Sequence, residues 1–146
     1  MATTDSGPID RPLSHEVEGL RHAECWEVLA SLSLGRLAVL GLDGAPDIFP
    51  VDYLTHEEQI YVRTAPGSKL MDVAHDPRVA FEVDAVGDEL AWSVVVRGTA
   101  VRLDADDEIE ASGVLELQST NPTVKSNFLR ITPREITGRR FRTVRD

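Results

Sequence analysis

The sequence predicts a mainly β (α+β) protein, a small antiparallel barrel with short peripheral helices. Tight hairpin signals, Asp43-Gly44 and His56-Glu57-Glu58, separate apolar runs in the first half of the chain. Valine-rich stretches with period-two alternation recur, as at Arg78–Asp84, where Val79, Phe81 and Val83 share one face. The helical stretches between them are short and irregularly placed, which does not suit a parallel sheet built from strand–helix–strand units. A barrel of this size has a small interior, so a large flat ligand would bind outside it, in a groove or between subunits.

Residues Met1–Val17 are polar with two prolines and read as a loose arm, leaving residues 18–146 as one domain. An amphipathic helix is expected from about His22 to Leu32. Cys25, Val28, Leu29 and Leu32 recur there at helical spacing with Trp26 beside them, and Gly35 serves as the stop. Strands follow at Arg36–Leu40, Pro46–Leu54 and Gln59–Arg63, a three-stranded meander. Ser68–His75 is a short helix closed by Asp76-Pro77. Strands then cover Arg78–Asp84 and Ala91–Leu103. Asp104–Leu117 reads as a helix weakened in its middle by Ser112-Gly113, and Ser119–Val124 as a loop. A last strand covers Asn127–Thr132, is interrupted by Pro133 and gives way to more extended chain at Glu135–Phe141.

Composition narrows the function. Hydrophobic residues are 42% and charged residues 27%, a globular balance, and no apolar run approaches the roughly 20 residues of a membrane helix. The N-terminus lacks a signal-peptide core. The single cysteine rules out an internal disulfide and fits a reducing, cytoplasmic location. A net charge of −10 argues against nucleic acid as a partner, and nothing suggests a membrane. The charge is uneven, however. From Lys125 onward seven cations face two carboxylates, so the tail is +5 and the remainder −15. Either the basic segment lies against an acidic body, or some of its arginines line an anionic site.

The stretch with most chemistry is Tyr61–Leu70, a strand end, a Pro-Gly turn and a helix start. Arg63 and Lys69 bracket the hydroxyls of Thr64 and Ser68. A helix start carries unpaired N–H groups and partial positive charge, so two cations and two hydroxyls there suit one phosphate. No glycine stands five residues before Gly67, so this is not a Walker loop. A solvated turn with ordinary surface charges accounts for the same ten residues. Other candidates are few. The four histidines have no metal-ligand spacing, Cys25 lies on an apolar stripe, and no hydrolytic signature is present. No metal is expected.

The joint order of Glu24-Cys25-Trp26, Gly35–Val39, Phe49-Pro50-Val51, Arg63-Thr64, Gly67–Leu70, Val79–Asp84, Trp92–Gly98 and Arg130–Pro133 resembles the pyridoxamine 5′-phosphate oxidase-like family of FMN-binding split barrels. The resemblance spans about Glu24 to Phe141. It implies a homodimeric split barrel with FMN at the interface and a small-molecule substrate. Phe49, Pro50, Val51 and Asp52 would lay backbone along the flavin edge. Arg63 and Thr64 would touch the ring and ribityl side, and Ser68 and Lys69 would hold the phosphate. Trp92 and Ser93 would approach from the other subunit. Thr64 and Ser93 are candidates to stabilise negative charge on the reduced ring. Trp92 either stacks on the ring or belongs to the core. Asp52 and Tyr53 are considered for proton exchange, with Asp52 expected to point to solvent.

The catalytic residues are not named by this resemblance. Members that oxidise vitamin B6 phosphates carry an Arg-x-His-x-Arg run near the C-terminus, and this chain has no histidine beyond His75. The cofactor half of the site is present without that substrate half. The expected function is therefore a flavin-dependent oxidoreductase acting on a small organic molecule. The alternatives are a deazaflavin-dependent reductase on the same fold, with the basic tail supplying an anion groove, and a non-catalytic flavin- or haem-binding protein.

Overall fold

The computed structural model describes residues 17–64, 67–103, 106–114 and 127–142. In chain order the elements are β1 (Val17–Gly19), α1 (His22–Ser31), β2 (Leu34–Leu40), β3 (Pro46–His56), β4 (Gln59–Thr64), α2 (Ser68–His75), β5 (Arg78–Val86), β6 (Leu90–Arg102), α3 (Asp106–Ser112) and β7 (Asn127–Arg142). All strand pairings are antiparallel, in the order β1-β7-β4-β3-β2-β5-β6, and a β6–β7 ladder closes the sheet on itself. Six strands thus form the barrel wall, and β1 extends β7 beyond it. A closed ring leaves no long unpaired edge within the wall.

The hairpins form where the turn chemistry places them. Gly44 takes a φ of 82° between β2 and β3. Between β3 and β4 the two central residues Glu57 and Glu58 take φ of 49° and 57°, the mirror-image turn whose twist matches a two-residue hairpin.

Inside, Leu37, Val39, Tyr53, Ile60, Val62, Phe81, Val83, Val94, Val96, Leu129 and Ile131 are buried. Helix α1 plugs one end with Cys25 and Leu29, which join the same cluster. The Tyr53 and Phe81 rings meet edge to face at 4.9 Å, and the Tyr53 hydroxyl donates to the Leu29 carbonyl at 2.6 Å. A second cluster lies outside the barrel, where Tyr61, Leu103, Val114 and Phe128 pack with Leu54 and Ile109 of α3.

Four details differ from the sequence reading. Gly35 does not stop α1, which ends at Ser31; it is the second residue of β2, where a Cβ would lie 2.4 Å from the Phe81 ring. Gly113 ends α3 rather than weakening its middle. Its φ of 81° is the left-handed conformation of a helix stop, and residues 115–117 and the loop at 119–124 lie outside the described residues. The sheet begins at Val17, which pairs with Phe141, a strand too short and polar to show periodicity. Finally, Pro133 does not break the last strand. The register shifts from Arg97↔Glu135 to Gly98↔Pro133, leaving Arg134 as an extra residue in a β-bulge, and the bulge absorbs the proline within one continuous strand.

Candidate functional site

Most of the residues singled out by sequence lie on β3, on the neighbouring end of β4 and at the start of α2, which follows β4 in the chain and packs against β2 and β6. On β3, Phe49 pairs with Leu37 and Val51 with Gly35, so both face the barrel interior. Val51 is buried, and Phe49 packs against the core. Pro50 and Asp52 take the outer face. Pro50 is exposed there, whereas Asp52 is only 4% exposed. The expectation that Asp52 points to solvent is thus corrected. Asp52, Arg63 and Phe128 form one row across β3, β4 and β7, and Phe128 belongs to the outer cluster. Alternation signals solvent only where the outer face is uncovered, and here it is covered.

Arg63 is half-buried, with its guanidinium carbon 5.9 Å from the centre of the Phe128 ring. Thr64, the last residue of β4, pairs with Asn127. Alternation turns both inward, where they are buried at 1% and 6% exposure. Asn127 was missed by sequence reading. Its signal was a polar residue in phase with the inward Leu129 and Ile131. Beyond Thr64 the chain reaches α2, with Gly67 at its N-cap and Ser68 and Lys69 as its first two residues. Gly67 offers no side chain to cap this start, and no acidic residue stands in its first turn. Its first N–H groups therefore present the partial positive charge of a helix N-terminus without a competing carboxylate from the same turn.

Trp92 and Ser93 stand elsewhere. They lie on β6, three strands from β3 in either direction around the ring, so one chain does not bring them to Phe49–Asp52. Trp92 pairs with Ala85 and Arg140 and is half-buried in a cleft of about 320 Å³ beside α1, lined also by Leu20, Glu24 and Val28. Ser93, its neighbour on the strand, takes the opposite face.

The surrounding electrostatics assign several groups to structure. Tyr53 points inward, its hydroxyl is committed to Leu29, and burial pushes its pKa up, so it has no route to exchange protons with an outside ligand. Burial likewise raises the Cys25 thiol, leaving it an inert core residue. Tyr61 donates to Glu108 at 3.2 Å; its pKa is raised first by burial and then by that carboxylate. Two arginines of the basic C-terminal segment are matched by carboxylates. Arg130 binds Glu108 at 2.6 Å, and Arg140 binds Glu18 at 2.6 Å with Glu24 at 3.8 Å. For these two arginines, a basic strand lying on an acidic body is what the structure contains. Among the described residues no cluster of three or more His, Cys, Asp or Glu is arranged to hold a metal ion. Nor is any described helix long and apolar enough to cross a membrane.

A closed six-stranded antiparallel barrel, plugged at one end by a helix, is the architecture of a split barrel. Residues 21–140 match the pyridoxamine 5′-phosphate oxidase family, and the chain belongs to it. Solved structures agree. A candidate pyridoxamine 5′-phosphate oxidase from Corynebacterium glutamicum is 42% identical with a TM-score of 0.76, covering 94% of this chain and 100% of that one. A FAD-binding protein from Mycobacterium smegmatis is 34% identical with a TM-score of 0.72 over 86% and 98% of the two chains. A FAD-binding protein from Mesorhizobium loti is 27% identical with a TM-score of 0.73 over 85% and 97%.

Proposed function

We propose that this protein is a flavoprotein that holds FMN at the corner between β4 and α2 and catalyses a two-electron oxidation or reduction of a small organic molecule. The observation that carries the reading is the start of α2, with Gly67 at its N-cap and no acidic residue in its first turn, a few residues beyond Arg63 and Thr64. Such a start accepts an anion without rearrangement. Relatives named as FAD-binding proteins at 34% and 27% identity support a flavin there.

The residues fit the group by their chemistry. Ser68, Lys69 and the α2 amides would take the phosphate, with Arg63 adding a second cation. The backbone of Phe49–Asp52 would run along the ring edge, and Thr64 would stiffen the strand end through its buried position beside Asn127. Bound flavin supplies the redox chemistry, while the protein contributes position, electrostatics and exclusion of water. Trp92 and Ser93 reach such a ligand only from a second copy, because their strand lies on the opposite wall of their own barrel. A homodimer with the ligand at its boundary follows as part of the proposal.

The FAD-binding names of two relatives favour one second reading, in which the same corner holds a pyrophosphate and the adenosine lies outside it. The deazaflavin alternative draws on the basic tail, where Arg140 is already engaged by Glu18 and Glu24.

Titration of FMN into an Arg63→Gln/Lys69→Gln variant tests the site. Two charge-assisted contacts of about 1.5–3 kcal/mol each predict a loss of roughly a hundredfold or more in affinity. Unchanged affinity in a variant with a native circular dichroism spectrum overturns the assignment, and the single Lys69→Gln variant serves if the double variant does not fold.

A further inference from the structure

A groove on the outer wall lies away from the start of α2, over β2, β5 and β6, and encloses about 560 Å³, within the range of small-molecule sites of about 300–1,000 Å³. Its floor is shallow because two alanines stand side by side: Ala38 is the register partner of Ala80, and the same row continues to Arg97 on β6. Leu40 and Pro46 form an apolar wall at the hairpin end. Three cations, Arg78, Arg97 and Arg134, stand around this apolar surface.

Their charges are not equally committed. Arg78 makes a two-pronged pair with Asp76, at 3.0 and 2.7 Å. Arg97 reaches Glu135 at 3.2 Å, in a pair more than half exposed on both sides and therefore weakly held. Arg134 makes no ion pair with a described carboxylate. It is the extra residue of the β7 bulge, and bulges re-aim side chains. The bulge is built in: a Cβ at Gly98 would lie 2.1 Å from the Thr132 carbonyl oxygen, so the tight approach of β7 that accommodates Arg134 requires glycine. In a protein of net charge −10, the groove holds an apolar floor and about one unmatched positive charge.

We propose that this groove binds an aromatic monocarboxylate, its carboxylate on Arg134 with Arg97 as a second donor and its ring on the Ala38–Ala80 floor. The site is separate from the flavin corner and does not depend on that reading. A second copy centred on the groove is disfavoured, because a two-fold contact sets the patch against itself and arginine against arginine.

The test is calorimetric titration of 2-naphthoate into the full-length protein, as purified and again with excess FMN. One saturable site per chain is expected, with the same affinity in both conditions. Arg134→Gln should weaken binding by about tenfold or more, the loss of a charge-assisted hydrogen bond. Glu135→Gln should tighten it a few-fold by releasing Arg97, a gain that a purely structural role for the pair would not produce. Ala80→Phe, which fills the floor from the outer face, should abolish binding. The proposal is overturned if naphthoate does not saturate, if Arg134→Gln and Glu135→Gln bind as wild type, or if FMN displaces the probe. It is equally overturned if Ala80→Phe leaves binding intact while converting an oligomer to a monomer, since the groove is then a contact between copies. Should Ala80→Phe fail to fold, the two exposed variants decide the matter.

Discussion

Replacing Gly98 by alanine adds one methyl group to the seam that closes the barrel. The new Cβ would fall 2.1 Å from the Thr132 carbonyl oxygen, 2.9 Å from its carbon and 3.0 Å from the Pro133 Cα. All three are backbone atoms of the neighbouring strand, so no side chain can swing away. Relief requires β6 and β7 to separate by about an ångström at a point where thirteen residue pairs hold them in register. Overpacking of this kind costs typically about 1–3 kcal/mol, and the rigid neighbour places this case near about 3 kcal/mol. That is a large share of the roughly 5–15 kcal/mol available to a domain, and it corresponds to a fall in Tm of about 10 °C for a chain of this length. Urea denaturation followed by circular dichroism measures it, with Thr99→Ala on the exposed face of the same strand as the control. A Gly98→Ala protein within about 0.5 kcal/mol of wild type would refute the close approach, and with it the geometry assigned to the bulge at Arg134.

Two further outcomes follow from buried and charged partners. Tyr53→Phe removes the donor to the Leu29 carbonyl, which lies in the last turn of α1 and has no partner further along the helix; a loss of about 1–3 kcal/mol is expected in urea unfolding, and an unchanged midpoint would show that the carbonyl finds another donor. Arg78 holds the Asp76 carboxyl at a pKa of about 2, below its ordinary 3.8, first through the side-chain hydrogen bond and then through the Arg78 amide. Because the folded pKa is depressed, the stabilisation is complete above pH 3.8 and is lost as pH falls towards 2. The Tm difference between wild type and Asp76→Asn should therefore be pH-independent above about 4 and vanish near 2, and a difference that persists at pH 2 would assign it to packing instead.

Much of the fold was legible because its signals are local. The Ser68–His75 helix and the meander of β2, β3 and β4 followed from turn residues and period-two alternation, which depend only on neighbours in sequence. What failed depended on distant partners. Gly35 carries the same letter as a helix stop, and only the Phe81 ring above it shows that the residue is there for space. Pro133 reads as a break unless the bulge opposite Gly98 is known. Asp52 reads as solvent-facing because nothing in its own strand announces that the outer wall beside Arg63 and Phe128 is covered. For the candidate site, the sequence placed Arg63, Thr64, Ser68 and Lys69 along one strand-to-helix corner, since they are contiguous. The outer groove, assembled from β2, β5, β6 and a bulged β7, had no contiguous signature.

The most direct measurement is the absorbance spectrum of the protein purified from its own host, with the mass of the pigment released on denaturation. A flavin in oxidised form should be bound, close to one per chain, and the released pigment should have the mass of FMN. A colourless protein that takes up no flavin when supplied with it, or one whose pigment is a haem, would contradict the account.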